Sequence, residues 1–187
     1  LSPLPDEPAT AARGPETVRP PRTEALATMP VFFKLAGKRA VLAGASEPAL
    51  WKAELLSATG AELWIYAPHF GDDFRALAAS APAGNVRLVE RAWQAGDLDG
   101  AAIAVGAISC DEDAAAFVAS AKRHGVPVNV VDRPEFCDFS FGSVVNRSPL
   151  VIAISTDGAA PVFGQAIRSR IEALLPQGFK RWAEAAK

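Results

Sequence analysis

Only two cysteines, two histidines, one methionine and one tyrosine occur among the 187 residues. Cys110 and Cys137 lie far apart and form no Cys-x-x-Cys pair, so neither a disulfide framework nor a zinc site is expected, and two idle thiols of a reducing compartment fit better. No block of one charge sign exists. The 19 basic and 21 acidic side chains give a formal net charge of -2, which leaves out the electrostatic footprint of a nucleic-acid binder. No apolar run reaches the roughly 18 residues of a membrane span, and the first residues lack the basic-then-apolar order of a secretory signal. No membrane partner is expected, and the cytoplasm is the default location. What is present is a globular balance, with 50% hydrophobic and 21% charged residues, and a length that suits one domain with extras.

Residues 1–28 carry Pro3, Pro5, Pro8, Pro15, Pro20 and Pro21 among alanines, threonines and scattered charges, without helical or strand period. This composition predicts a disordered leader. Met29 is followed directly by the apolar run Pro30, Val31, Phe32 and Phe33, so the fold is expected to start there. Beyond it, strand and helix patterns alternate as parallel pairing through helical crossovers requires. Strands are expected at 40–43, 62–66, 86–89, 101–105 and 128–131, with helices at 48–59, 70–80 and 112–124. His124 reads as a helix cap at the last of these. The pattern then changes: 139–144 and 150–155 read as a hairpin turning at Asn146, Arg147, Ser148 and Pro149, and 161–175 as an amphipathic helix. The expected organisation is therefore a Rossmann-like parallel sheet over 29–138, a hairpin and helix over 139–175, and a further helix beginning at Phe179. Because that helix pattern is still running at Lys187, a longer protein is expected.

The first strand leads through a tight loop into a helix. Such a junction presents backbone N–H groups and the positive end of the helix dipole, which suits a pyrophosphate. Against G-x-G-x-x-G/A, Gly44 supplies the turn and Ala49 the small packing residue, while Ser46 stands where the second glycine belongs. Its hydroxyl can donate to a phosphate or cap the helix. After the second strand come Ala67, Pro68 and His69 where a ribose-binding carboxylate is usual, so NAD and NADP both stay open. By itself the loop also fits a plain strand–helix connection of a flavodoxin-like domain. At the carboxyl end of the fifth strand, Asn129-Val130-Val131-Asp132 puts an acid on the edge where ligands of open α/β sheets bind. The same aspartate also fits the start of a turn before Pro134.

Several segments, in order and at kept spacing, carry a resemblance: Pro30-Val31-Phe32 with Leu35, the Gly44 loop closing on Lys52, Gly60-Ala61, Asn129 to Asp132, Asn146-Arg147-Ser148-Pro149-Leu150, Ala153-Ile154-Ser155-Thr156, and Ala160-Pro161-Val162. Together, from about Met29 to Lys187, they resemble the dehydrogenase/ferrochelatase module of siroheme synthase and are similar to stand-alone precorrin-2 dehydrogenases. The resemblance implies oxidation of precorrin-2 to sirohydrochlorin with NAD, followed by insertion of ferrous iron as a substrate, with Asp132 at the position of the one aspartate that serves both steps. It implies that Gly44, Ala45, Ser46, Glu47, Pro48, Pro68, His69 and Ala107 border the cofactor. It places Asn129, Arg133, Arg147, Ser148, Ser155 and Thr156 toward the tetrapyrrole, and it implies a homodimer. A substrate ringed by carboxylates calls for basic side chains, for which Arg133, Arg147, Arg168 and Arg170 are candidates.

Departures are visible. Ala45 and Ser46 make the loop poorer in glycine than the family's, and Thr156, Asp157 and Gly158 stand where bacterial two-function forms have a serine beside a glycine pair. No methyltransferase segment follows within this chain. Two other readings compete: a ferrochelatase-only form that needs no nucleotide, and a non-catalytic nucleotide-sensing Rossmann module.

Overall fold

The computed structural model describes residues 24–158, 160–175 and 178. Val31–Lys187 forms one compact unit, distinct from Leu1–Pro30. Most of the expected leader, and the helix expected from Phe179, lie outside the described residues.

The elements run β1 (Arg39–Ala43), α1 (Glu47–Ala58), β2 (Glu62–Ala67), α2 (Asp72–Ala79), β3 (Asn85–Glu90), β4 (Ile103–Gly106), α3 (Asp111–Arg123), β5 (Val128–Val130), β6 (Ser143–Arg147), β7 (Leu150–Ile154) and α4 (Pro161–Leu174). The first five strands form one parallel sheet in the order β3-β2-β1-β4-β5. Central strands of such a sheet are covered on both faces, which is why Ala40 to Ala43 and Ile103 to Val105 are unbroken apolar runs and are all buried. One face sends Leu42, Leu63, Ile65 and Val105 against α1 and α2; the other sends Val41, Tyr66, Ala104 and Val128 against Phe117 of α3.

Charge order along α3 follows its dipole. Asp111, Glu112 and Asp113 occupy the first turn, Lys122 and Arg123 the last, and each sign stands at the end that stabilises it. His124 closes the helix as expected: Nδ1 faces the Ser120 carbonyl at 2.7 Å and Nε2 the Asp99 carboxylate at 3.0 Å. A short 3-10 turn at Ala95–Leu98 replaces the crossover helix between β3 and β4. On that face Trp64 carries the guanidinium groups of Arg39 and Arg87 at 4.8 and 4.7 Å from its ring centre. Arg87 is exposed, whereas the Arg39 head is partly buried, with Nη2 donating to the Tyr66 hydroxyl at 3.0 Å.

The added hairpin is present as expected and departs only at its first end. Its first strand starts at Ser143, not Phe139, because Phe139 and Phe141 pack edge to face against each other, Phe141 likewise against Trp51, and Phe139 at a tilt against Phe33, instead of pairing in a ladder. It forms a separate antiparallel sheet, β6-β7, and joins no strand of the parallel one. Arg147 ties this hairpin to α4, donating from Nε to the Leu175 carbonyl at 2.6 Å and from Nη2 to the Glu172 carbonyl at 3.4 Å.

Candidate functional site

Where crossovers leave neighbouring parallel strands in opposite directions, a crevice opens beyond their carboxyl ends. Here that point lies between β1 and β4. A cleft of about 640 Å³ occupies it, lined by Ser46 and Pro48 after β1, by Ala107, Ile108 and Ser109 after β4, and by Val131, Asp132, Arg133 and Glu135 after β5. A second groove, of about 570 Å³ between α1 and α2, contains none of the residues expected at the site.

Gly44 brings the first two loops together. Its φ is +96°, and a Cβ there would lie 2.5 Å from the Ala107 carbonyl oxygen, so no other residue fits. The Gly44 N–H donates to Tyr66 O at 2.8 Å, and the Ala107 N–H to Ala43 O at 2.7 Å. Ala45 packs half-buried against the core behind the loop. Ser46 is the N-cap of α1: its carbonyl accepts the N–H groups of Ala49 and Leu50, while its hydroxyl makes no capping bond and stays available to a ligand. Glu47 adds a carboxylate in the first turn, and Pro48 offers no N–H. The helix end and the Ser46 hydroxyl fit the phosphates of a dinucleotide, and Glu47 and Pro48 weaken that grip relative to a glycine-rich loop.

Asp132 stands opposite. It is exposed and holds φ at +60°, a left-handed conformation that costs an L-residue about 1–2 kcal/mol and that aspartate tolerates better than most. The segment behind it is braced. Asn129 is buried and donates from Nδ2 to Phe139 O at 2.8 Å and to Cys137 Sγ at 3.3 Å, and Cys137 Sγ also accepts the Val130 N–H at 3.2 Å. Asp132 therefore does sit in a turn, yet the turn holds it out at the cleft. Arg133 crosses to the neighbouring loop, pairing with the Asp111 carboxylate and donating to the Ser109 carbonyl. Two loops are thereby clamped over one side of the cleft.

Residues 31–143 match the family described as "Putative NAD(P)-binding", and residues 147–174 the one described as "Sirohaem biosynthesis protein central". The chain belongs to this "Putative NAD(P)-binding" family. Siroheme synthase of Azotobacter vinelandii is 42% identical over 159 residues, covering 85% of this chain and 34% of that protein. The siroheme synthase of Pseudomonas entomophila is 40% identical over 158 residues, covering 84% and 34%. This chain thus spans about a third of the length of the curated relatives it matches. The solved structure of SirC, precorrin-2 dehydrogenase, shares the fold with a TM-score of 0.69 at 21% identity, covering 84% of this chain and 76% of that one.

Within this NAD(P)-binding module the fold gathers some of the expected residues and scatters others. Ser46, Pro48, Ala107, Asp132 and Arg133 line one cleft, with Gly44 beneath it and Glu47 exposed at its rim. Pro68 and His69 are exposed after β2 and are not among the lining residues. Asn129 has its amide committed inside the protein, so its role in this structure is to brace the Asp132 turn. Arg147 is engaged with the end of α4, Ser148 donates from Oγ to Asn146 Oδ1 at 2.7 Å in the hairpin turn, and Ser155 Oγ accepts the Asp157 N–H at 3.2 Å. Thr156 is half-buried just past β7. Arg168 pairs with Glu172 one turn on at 3.2 Å, and Arg170 is exposed. Ile108, Ser109 and Glu135 join the cleft without having been expected. The position of Ile108 and Ser109 directly after an apolar strand was the signal available for them.

Proposed function

We propose that this module oxidises precorrin-2 to sirohydrochlorin with NAD, and that the same cleft then inserts ferrous iron into the product. The observation carrying this reading is that Asp132, beyond β5, lines one cleft with the Ser46 loop beyond β1 and with Ala107 beyond β4. The curated relatives named as siroheme synthases support it, as do the residues that carry the resemblance.

NAD, when bound, supplies the acceptor for the hydride. Ser46 and the amino end of α1 would hold its phosphates, with Ala107 at the floor. Removing two hydrogens from the macrocycle as a hydride and a proton leaves the proton to the protein; Asp132 and Glu135 both line the cleft without an ion pair among the described residues, and Asp132 is the one at the strand end to which the resemblance assigns the proton. For iron entry two pyrrole N–H protons must leave; the same oxygens accept one of them and water the other. Arg133, fixed against Asp111 and Ser109, gives the rim a positive edge for the carboxylates of the substrate.

Replacing Asp132 by Asn retains a residue that accepts the left-handed turn and removes only the base. NAD reduction with precorrin-2 should fall about 10²- to 10⁴-fold in Asp132→Asn while the melting temperature stays within a few degrees. Equal rates in the two proteins would take Asp132 out of the chemistry. The ferrochelatase-only reading draws on Glu47 and Pro48, which sit poorly beside a pyrophosphate; calorimetric titration of the protein with NAD and with NADP separates it from the dehydrogenase and also decides the cofactor. The module is further proposed to work as a cytoplasmic homodimer, since Val151, Val162, Phe163 and Leu174 all expose large apolar side chains on the hairpin and α4.

A further inference from the structure

β5 is an edge strand of the parallel sheet, and an edge leaves a row of backbone N–H and C=O groups without a ladder partner. Two consecutive residues cover that row. At Val128 it is Asp138, whose Oδ2 accepts the Val128 N–H at 3.1 Å and whose own N–H donates to the Val128 carbonyl at 2.8 Å. At Val130 it is the Cys137 thiol. Sγ accepts the Val130 N–H at 3.2 Å and shares its proton between the carbonyls of Val130 at 3.2 Å and Arg133 at 3.1 Å.

Val130 and Arg133 are the two ends of the turn that carries Asp132. The Arg133 N–H donates to the Val130 carbonyl at 3.2 Å, which puts Asp132, with its φ of +60°, third in a four-residue turn. Positive φ at that place favours glycine or asparagine, so an aspartate there depends on what surrounds it. One sulfur atom touches both ends of the turn. The 3-10 turn at Pro134–Phe136 returns the chain to make this contact: the Phe136 N–H donates to the Arg133 carbonyl at 3.0 Å and the Cys137 N–H to the Pro134 carbonyl at 3.1 Å. Cys137 is half-buried, and burial pushes its pKa up, so the thiol keeps the proton it donates. It is not an idle thiol.

We propose that Cys137 is a positioning residue for the oxidation: its thiol staples both ends of the Asp132 turn and so fixes the carboxylate at the cleft. Cys137 is not among the residues lining the cleft, and it acts through the turn alone. Misplacing a reacting group costs rate even when binding is intact, so loss of the staple falls on turnover. This inference rests on the role given to Asp132 above.

The test separates the turn from the chemistry. Hydrogen exchange of the full chain, followed by NMR, should show the Val130 and Arg133 amides exchanging about tenfold faster in Cys137→Ala, with those of β1 and β4 at wild-type rates. For precorrin-2 oxidation, kcat should fall about 10- to 100-fold in Cys137→Ala with KM for NAD unchanged. Most of the loss should return in Cys137→Ser, whose hydroxyl both donates and accepts. In the Asp132→Asn background the same Cys137→Ala change should cost less than about twofold, because a residue acting through Asp132 has nothing left to position. Unmoved Val130 and Arg133 amides, an equal loss in both backgrounds, a loss seen only in KM, or a Cys137→Ser protein no faster than Cys137→Ala would each overturn the proposal. If wild type does not oxidise precorrin-2, the functional reading fails, while exchange of the two amides still decides whether the thiol holds the turn.

Discussion

Gly44, beneath the cleft, and Asp132, on its lining, both hold a positive φ, for different reasons. Gly44 is forced by contact, because any side chain meets the Ala107 carbonyl; Asp132 is tolerated, because its surroundings brace it and aspartate accepts a left-handed conformation better than most residues. Gly44→Ala is therefore expected to destabilise the protein by more than about 1 kcal/mol, read from chemical denaturation, and to weaken NAD binding at the same time. A variant of wild-type stability would mean that the two loops do not touch as described. The place of Asp132 was legible in the sequence, since the end of a parallel strand is a local property. The brace behind it was not: Asn129 finds its partners at Cys137 and Phe139, eight and ten positions on, and no local pattern marks them.

Elements built on apolar runs came through from sequence to structure with small shifts of their ends, because burial on both faces writes an unbroken hydrophobic signature. The first hairpin strand did not. Phe139 and Phe141 alternate as a strand should, yet the alternation serves a stack of rings, and pairing begins only at Ser143. The 3-10 turn at Ala95–Leu98 left no periodic trace either, being too short for one. Its Asp97 is almost fully buried, and that burial opposes its charge, but the Arg91 fork at 2.7 Å on each oxygen and the Gln94 N–H hold it below the usual carboxylate range. A carboxylate whose pKa is depressed on folding adds stability above its unfolded value, and this is lost as pH falls through the folded value. Thermal melts of wild type should therefore lose stability as pH drops below about 4, and Asp97→Asn should start less stable at neutral pH and decline less over that window. Parallel curves for the two proteins would remove this pair from the acid response.

On the scale of the whole molecule, the surface is uneven. The parallel sheet is covered on both sides, whereas Val162 and Phe163 in the first turn of α4 and Leu174 in its last are 84, 61 and 79% exposed. Sedimentation at micromolar concentration is expected to give a dimer, and Phe163→Glu a monomer; wild type sedimenting as a monomer would contradict this. A two-stranded sheet alone is marginal in water, and β6-β7 shares no ladder with its larger neighbour, so what keeps it formed is its packing on α4, with Val145 fully buried, the Arg147 clasp and the proposed dimer contact. Amide protons should report that division of labour: those of the parallel sheet exchanging only through global opening, those of the hairpin escaping earlier and slowing as protein concentration rises.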